Sequence, residues 1–146
     1  MPAGSVLSVR YLQDSEEFPE PAVLTAAATV LSLSPSLVSG VVSISGLRFQ
    51  DSRSEDSLLQ VTGVVLWLED CIFANNTCTG TNGGTAVLAL GGAEVSMSRV
   101  VFMGNELLGS TSTGGGAVRV ESSQVSFTAC NLTDNKCAGE NSAGGA

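Results

Sequence analysis

Apolar and polar residues alternate with a period of two in four separate stretches of the chain, and the four stretches align on one another. Each has an anchor: Phe49, Phe73, Phe102 or Leu132. Seven residues before the anchor stand Val42, Leu66, Val95 and Val125; five before stand Ile44, Leu68, Met97 and Phe127; two before stand Leu47, Cys71, Val100 and Cys130. The intervening position six before carries Ser43, Trp67, Ser96 and Ser126, small and polar in every copy but one. Such alternation marks a half-buried strand. The anchor belongs to a second strand. A third is expected at Leu59 and Val61, at Leu88 and Leu90, and at Val118 and Val120. Helical repeats need apolar spacings of three and four, and here Ser, Thr, Gly and β-branched residues dominate instead.

Between these strands lie marked corners. An Asn follows three residues after the anchor in three copies, Asn76, Asn105 and Asn135, and a Gly pair comes next, Gly83 and Gly84, Gly115 and Gly116, Gly144 and Gly145. The last three anchors are 29 and 30 residues apart, from 73 to 102 and from 102 to 132. A period of this length signifies stacked supersecondary units. Short strands, no helix and corners marked by Gly or Asn predict an all-β fold, a parallel β-helix of about four rungs. The rungs fall near 36–61, 62–90, 91–120 and 121–146. In such a stack each strand pairs with its equivalent in the next rung, about 4.8 Å away.

Residues 1–35 carry no clear copy and are expected to form an N-terminal cap or an irregular rung. Within them Val6, Leu7, Val9, Tyr11 and Leu12 suit a strand, an acidic Pro-containing loop follows over 13–21, and 22–33 suits a short helix or an irregular rung. At the other end the chain stops at Ala146, the equivalent of Ala117 one rung earlier, so a longer parent array is expected.

The stacked Asn76, Asn105 and Asn135 are expected to form a structural ladder, each amide bonding its neighbours and the turn backbone. The Gly pairs mark a corner that needs either a positive φ or close backbone approach. The segments 77–82, 106–114 and 136–143 differ in length, emerge on one side of the stack, and are the expected place for binding.

The chain's four cysteines, Cys71, Cys78, Cys130 and Cys137, repeat one spacing. The two pairs sit two rungs apart, about 9.6 Å from the strand spacing, whereas a disulfide needs Cα atoms within about 7 Å. Bridges are therefore restricted to Cys71 with Cys78 and Cys130 with Cys137; the alternative is four buried thiols. Sequons place candidate glycosylation at Asn75 and Asn131. Trp67 is predicted to point outward, serving as an anchor for a partner or packing under a neighbouring segment. Asp70 and Arg99 fall at equivalent places in adjacent rungs.

Composition narrows the function. The net charge is −8, with six Lys and Arg and no His. This leaves no basic footprint for nucleic acid, no His for a zinc site, and no expected cofactor. No apolar run approaches the roughly 18 residues of a spanning helix, so no membrane insertion is expected from this segment. Glu69 and Asp70 are the acidic neighbours at a strand end, and successive side chains on a strand face opposite ways, so no catalytic carboxylate pair is expected.

The joint pattern of FANN, FMGN and LTDN with GGTAV, GGAV and GGA resembles the repeats of the polymorphic outer membrane proteins of chlamydiae. The resemblance covers 41–146; Leu132 replaces the usual Phe, and FQDS at Phe49 lacks the Asn. It implies a right-handed β-helix of the pectin lyase-like type, an extracellular or cell-surface location (the outer membrane if bacterial), and a role in adhesion. The expected function is thus a non-catalytic surface module that binds a surface protein or glycan. The alternative is a fragment of a carbohydrate-active enzyme, since lyases and hydrolases also use this fold.

Overall fold

The computed structural model describes residues 5–10, 22–24, 31–36, 40–80, 84–109 and 114–138. They form a parallel β-solenoid. The first complete coil is built from β4 (Gly40–Ser45), β5 (Leu47–Gln50), β6 (Arg53–Ser54) and β7 (Leu59–Thr62). The second contains β8 (Val65–Glu69), β9 (Ile72–Ala74), β10 (Thr77–Cys78) and β11 (Val87–Leu90). The third contains β12 (Glu94–Ser98), β13 (Val101–Met103), β14 (Glu106–Leu107) and β15 (Val118–Glu121). A last, partial coil holds β16 (Gln124–Thr128), β17 (Asn131–Thr133) and β18 (Lys136–Cys137). Three turns are therefore complete, where the sequence suggested about four rungs.

The N-terminal part is described at 5–10, 22–24 and 31–36. Strands β1 (Ser5–Arg10), β2 (Ala22–Leu24) and β3 (Leu31–Leu33) join the stack as a further partial coil. Strand β1 pairs with β4, β2 with β5 and β3 with β7, all parallel. The stretch 22–33, read as a short helix or an irregular rung, begins and ends in strand. Its Val, Leu and Ala content is as compatible with buried strand as with helix, and periodicity cannot separate the two in so short a run.

Stacking produces four sheets. The first holds β1, β4, β8, β12 and β16; the second β2, β5, β9, β13 and β17; the third β6, β10, β14 and β18; the fourth β3, β7, β11 and β15. The sequence suggested three strands per rung. The third sheet was missed because its two-residue strands carry no measurable period. They were read as the start of the variable segments, whose remainders lie partly outside the described residues.

The core fills the space between the sheets. Val42, Leu66 and Val95 stack in one register column, Ile44, Leu68 and Met97 in another, and all are at most 2% exposed. Phe49, Phe73 and Phe102 stack ring on ring, with centroids 4.7 and 5.1 Å apart and planes within 4° and 8° of parallel. One column is shifted from its expected place. Val87 and Ala89, not Leu88 and Leu90, pair with Leu59 and Val61 and with Val118 and Val120. Four consecutive apolar residues leave no alternation to fix the register.

Three left-handed corner columns bend each coil. Gly46, Asp70, Arg99 and Ala129 turn the first sheet into the second; Asp51, Asn75, Gly104 and Asp134 turn the second into the third; Gly63, Gly91 and Ser122 return the chain to the first. The parallel ladder runs on through these bends: Gly46 N–H donates to the Glu69 carbonyl at 3.1 Å, and Asp70 N–H to that of Ser98 at 3.0 Å. Gly84 serves the other of the two candidate roles, while Gly83 lies outside the described residues. Gly84 is not among the positive-φ residues, but a Cβ there would lie 2.4 Å from the Arg119 backbone nitrogen and 2.5 Å from the Val87 carbonyl. Backbone cannot yield as a flexible side chain can. Gly84→Ala is accordingly expected to lower the unfolding free energy by about 2 kcal/mol, read from the urea midpoint.

Candidate functional site

Strand β8 alternates buried Leu66 and Leu68 with outward Trp67, whose side chain is 52% exposed. Trp67 therefore stands in the open rather than beneath a neighbouring segment. Its register partners are Ser43 on one side and Ser96 on the other, and Ser126 continues the row. The Ser96 and Ser126 hydroxyls are 3.3 Å apart. Together with Glu69 and Thr128 these residues line a shallow groove of about 430 Å³ on the outer face of the first sheet. The indole stands within the row, between Ser43 and Ser96, and β4, β8 and β12 have their opposite faces sealed into the core.

Beside the groove, Glu69 and Asp70 meet where the sequence predicted divergence. The left-handed φ of 51° at Asp70 ends the strand alternation and swings its carboxylate round. Arg99 then takes both: its Nη2 lies 2.5 Å from Glu69 Oε1, and its Nε donates to Asp70 Oδ1 at 2.6 Å. The side-chain hydrogen bond from Arg99 holds the Asp70 carboxyl below its usual range, with the guanidinium charge adding to it and desolvation opposing. Chemically, two carboxylates are tied to one guanidinium.

The other sequence-marked residues have structural positions. The ladder begins at Ser52, whose N–H donates to Asn76 Oδ1 at 3.1 Å. Asn76 Nδ2 donates to the Phe49 carbonyl at 3.0 Å and to Asn105 Oδ1 at 2.9 Å. Asn105 Nδ2 donates to the Phe73 carbonyl at 3.0 Å and to Asn135 Oδ1 at 2.8 Å. Asn135 Nδ2 donates to the Phe102 carbonyl at 3.0 Å. Asn76 and Asn105 are buried, and their amides are occupied within the protein.

No disulfide links Cys71, Cys78, Cys130 or Cys137, so the bridges weighed from their spacing are absent. The thiols address carbonyls instead. Cys71 Sγ donates to the Glu69 carbonyl at 3.3 Å, and Cys130 Sγ to that of Thr128 at 3.5 Å, the same contact two coils on. Cys78 Sγ turns the other way, to the Glu55 carbonyl at 3.5 Å. Burial pushes the Cys71 and Cys78 thiols up from their ordinary pKa, so both remain protonated and unreactive. Asn75 lies exposed at a left-handed corner. Asn131 lies exposed on β17, where its Oδ1 accepts the Thr133 hydroxyl at 2.8 Å.

Among the described residues no group of three or more His, Cys, Asp or Glu side chains is arranged to hold a metal ion, and no helix is long and apolar enough to cross a membrane. The groove itself was only partly visible in the sequence: the outward Trp67 was legible, the row of serines beside it was read as mere polarity. Compared with family models, curated proteins and solved structures, the chain matches none of them.

Proposed function

We propose that this chain is a non-catalytic binding module of an extracellular or cell-surface protein, and that its ligand is a neutral glycan seated on the outer face of the first sheet. The observation that carries this reading is the exposure of Trp67 on a rigid strand, in a row with Ser43, Ser96 and Ser126. The C–H face of a pyranose ring packs on an indole, and the adjacent hydroxyls both donate and accept for sugar hydroxyls. A groove of about 430 Å³ is within the size range of small-ligand sites. The acidic net charge of −8 favours an uncharged ligand over a polyuronide. The resemblance of the FxxN and GGA motifs to the repeats of chlamydial polymorphic outer membrane proteins supports the surface location and an adhesive role. The alternative, a carbohydrate-active enzyme, requires carboxylates free to exchange protons, and the nearest two are held by Arg99.

Trp67 is the chain's single tryptophan, so its fluorescence reports on the groove alone. Titration with neutral oligosaccharides is expected to quench or blue-shift the emission saturably, and Trp67→Ala to weaken calorimetric binding at least tenfold, about 1.4 kcal/mol. Emission unchanged across a broad panel of neutral glycans, or undiminished binding by the alanine variant, would contradict the proposal.

A further inference from the structure

A second row runs beside the one that holds Trp67. Ser45, Glu69, Ser98 and Thr128 share one register column, two residues further along their strands. Each row carries a hydroxyl at every coil but the second. There it carries Trp67 in one row and Glu69 in the other, both on β8. Residues two apart on a strand face the same way and lie about 6–7 Å from one another. Both are exposed, while Leu66 and Leu68 between and beside them are buried. An indole and a carboxylate therefore stand on one face, separated by roughly the breadth of a pyranose ring.

The carboxylate is held in place. Arg99 donates from Nε and Nη2 to the two oxygens of Asp70, at 2.6 and 2.9 Å. Its Nη2 also reaches Glu69 Oε1 at 2.5 Å, and its Nη1 donates to the Ser98 hydroxyl at 3.2 Å. Both Asp70 oxygens are thus occupied. Glu69 Oε2 receives no hydrogen bond among the described residues, and Glu69 lines the groove. The arrangement orients one carboxylate through one of its oxygens and leaves the other open to a ligand.

We propose that Glu69 is the specificity-determining residue of the groove and Arg99 the residue that positions it; this rests on the glycan-binding reading above. The ligand is a sugar unit that stacks its C–H face on Trp67 and donates a neighbouring hydroxyl to Glu69 Oε2. A carboxylate accepts hydrogen bonds and donates none, whereas the serine hydroxyls around it do both. Glu69 therefore selects a hydroxyl donor and repels a carboxylate, sulfate or phosphate set at the same place, which the serines alone would not do. A bond to a carboxylate is also stronger than one between neutral groups, so Glu69 adds affinity as well as choice.

Calorimetric titration of the full chain tests this. The probes are the tetraoses of glucose, mannose, galactose and xylose, with the C6-carboxylated form of each hexose tetraose. For the neutral tetraose that binds, Glu69→Gln keeps the side-chain shape and is expected to weaken binding about fivefold. The same change should relax the preference for the neutral over the carboxylated form at least as much. Arg99→Met leaves the carboxylate but not its support. It should weaken the neutral tetraose while still rejecting the carboxylated one, and Arg99→Lys should recover part of the loss. The ion pair is exposed, so these variants should keep the wild-type urea midpoint. Binding that requires Trp67 but is unchanged by Glu69→Gln, in affinity and in preference, overturns the role of Glu69 and leaves the glycan reading standing. Full affinity in Arg99→Met overturns the role of Arg99. Binding of no tetraose, or of a carboxylated form more tightly than its neutral parent, overturns the glycan reading and this assignment together.

Discussion

Asn105→Ala removes about 4 kcal/mol of folding stability, far more than the same change at Asn135. Asn105 is 0% exposed, and its amide serves groups on both sides. Its Oδ1 accepts from Asn76 N–H and from Asn76 Nδ2, and its Nδ2 donates to the Phe73 carbonyl. Alanine leaves the Asn76 N–H and the Phe73 carbonyl buried and without their side-chain partner. Each orphaned group costs about 1–3 kcal/mol, out of a total stability of about 5–15 kcal/mol for a domain. Asn135 is only half-buried, so water can take over the lost bonds, and its alanine variant should cost about 1 kcal/mol. The measurement is the urea midpoint of both variants at unchanged slope. Equal losses at the two positions would mean that the ladder adds nothing beyond the turn itself.

Phe73→Ala is expected to be comparably severe, about 3–5 kcal/mol. Phe73 is fully buried between Phe49 and Phe102, the middle ring of three. Deleting it opens a cavity that rigid sheets on every side cannot collapse, and it breaks both ring contacts. Phe73→Leu separates these effects. Leucine keeps most of the apolar volume and occurs naturally in the same column at Leu132, so its cost should be roughly 1–2 kcal/mol, the loss of stacking and a small void. A leucine variant as unstable as the alanine variant would show that the column depends on aromatic geometry and not on filling.

Much of this architecture was legible in the sequence. The columns through Val42, Ile44 and Phe49 were fixed by period-two alternation, because a one-residue slip would turn every core side chain to solvent. Where alternation fails, legibility fails with it: Val87 to Leu90 are all apolar, and their register emerged only from the paired strands. Strands of two residues, such as β10 and β14, lie below the length at which any period can be read. The left-handed corners explain the remaining misreadings. Asp70 and Arg99 gave no Gly signal, yet both adopt positive φ; that bend brings Glu69 and Asp70 onto one guanidinium. The spacing of the cysteines restricted any pairing to one coil, but spacing cannot state where a thiol points, and all four are free. The candidate site was the least legible part. Trp67 was visible as outward-facing, while the row of serines that completes its surface exists only once the coils are stacked.

The repeated Asn, Phe and Gly residues hold the stack, and the outer face of the first sheet is the surface proposed to bind. Chemical-shift mapping by two-dimensional NMR, with the neutral oligosaccharide that most perturbs Trp67 emission, tests this division most directly. The account predicts saturable shifts confined to the face formed by β4, β8, β12 and β16, centred on Ser43, Trp67, Ser96 and Ser126, with Asn76 and Asn105 unmoved. Shifts concentrated instead in 77–82 and 106–114, with the Trp67 row silent, would contradict it and return the binding site to the variable segments.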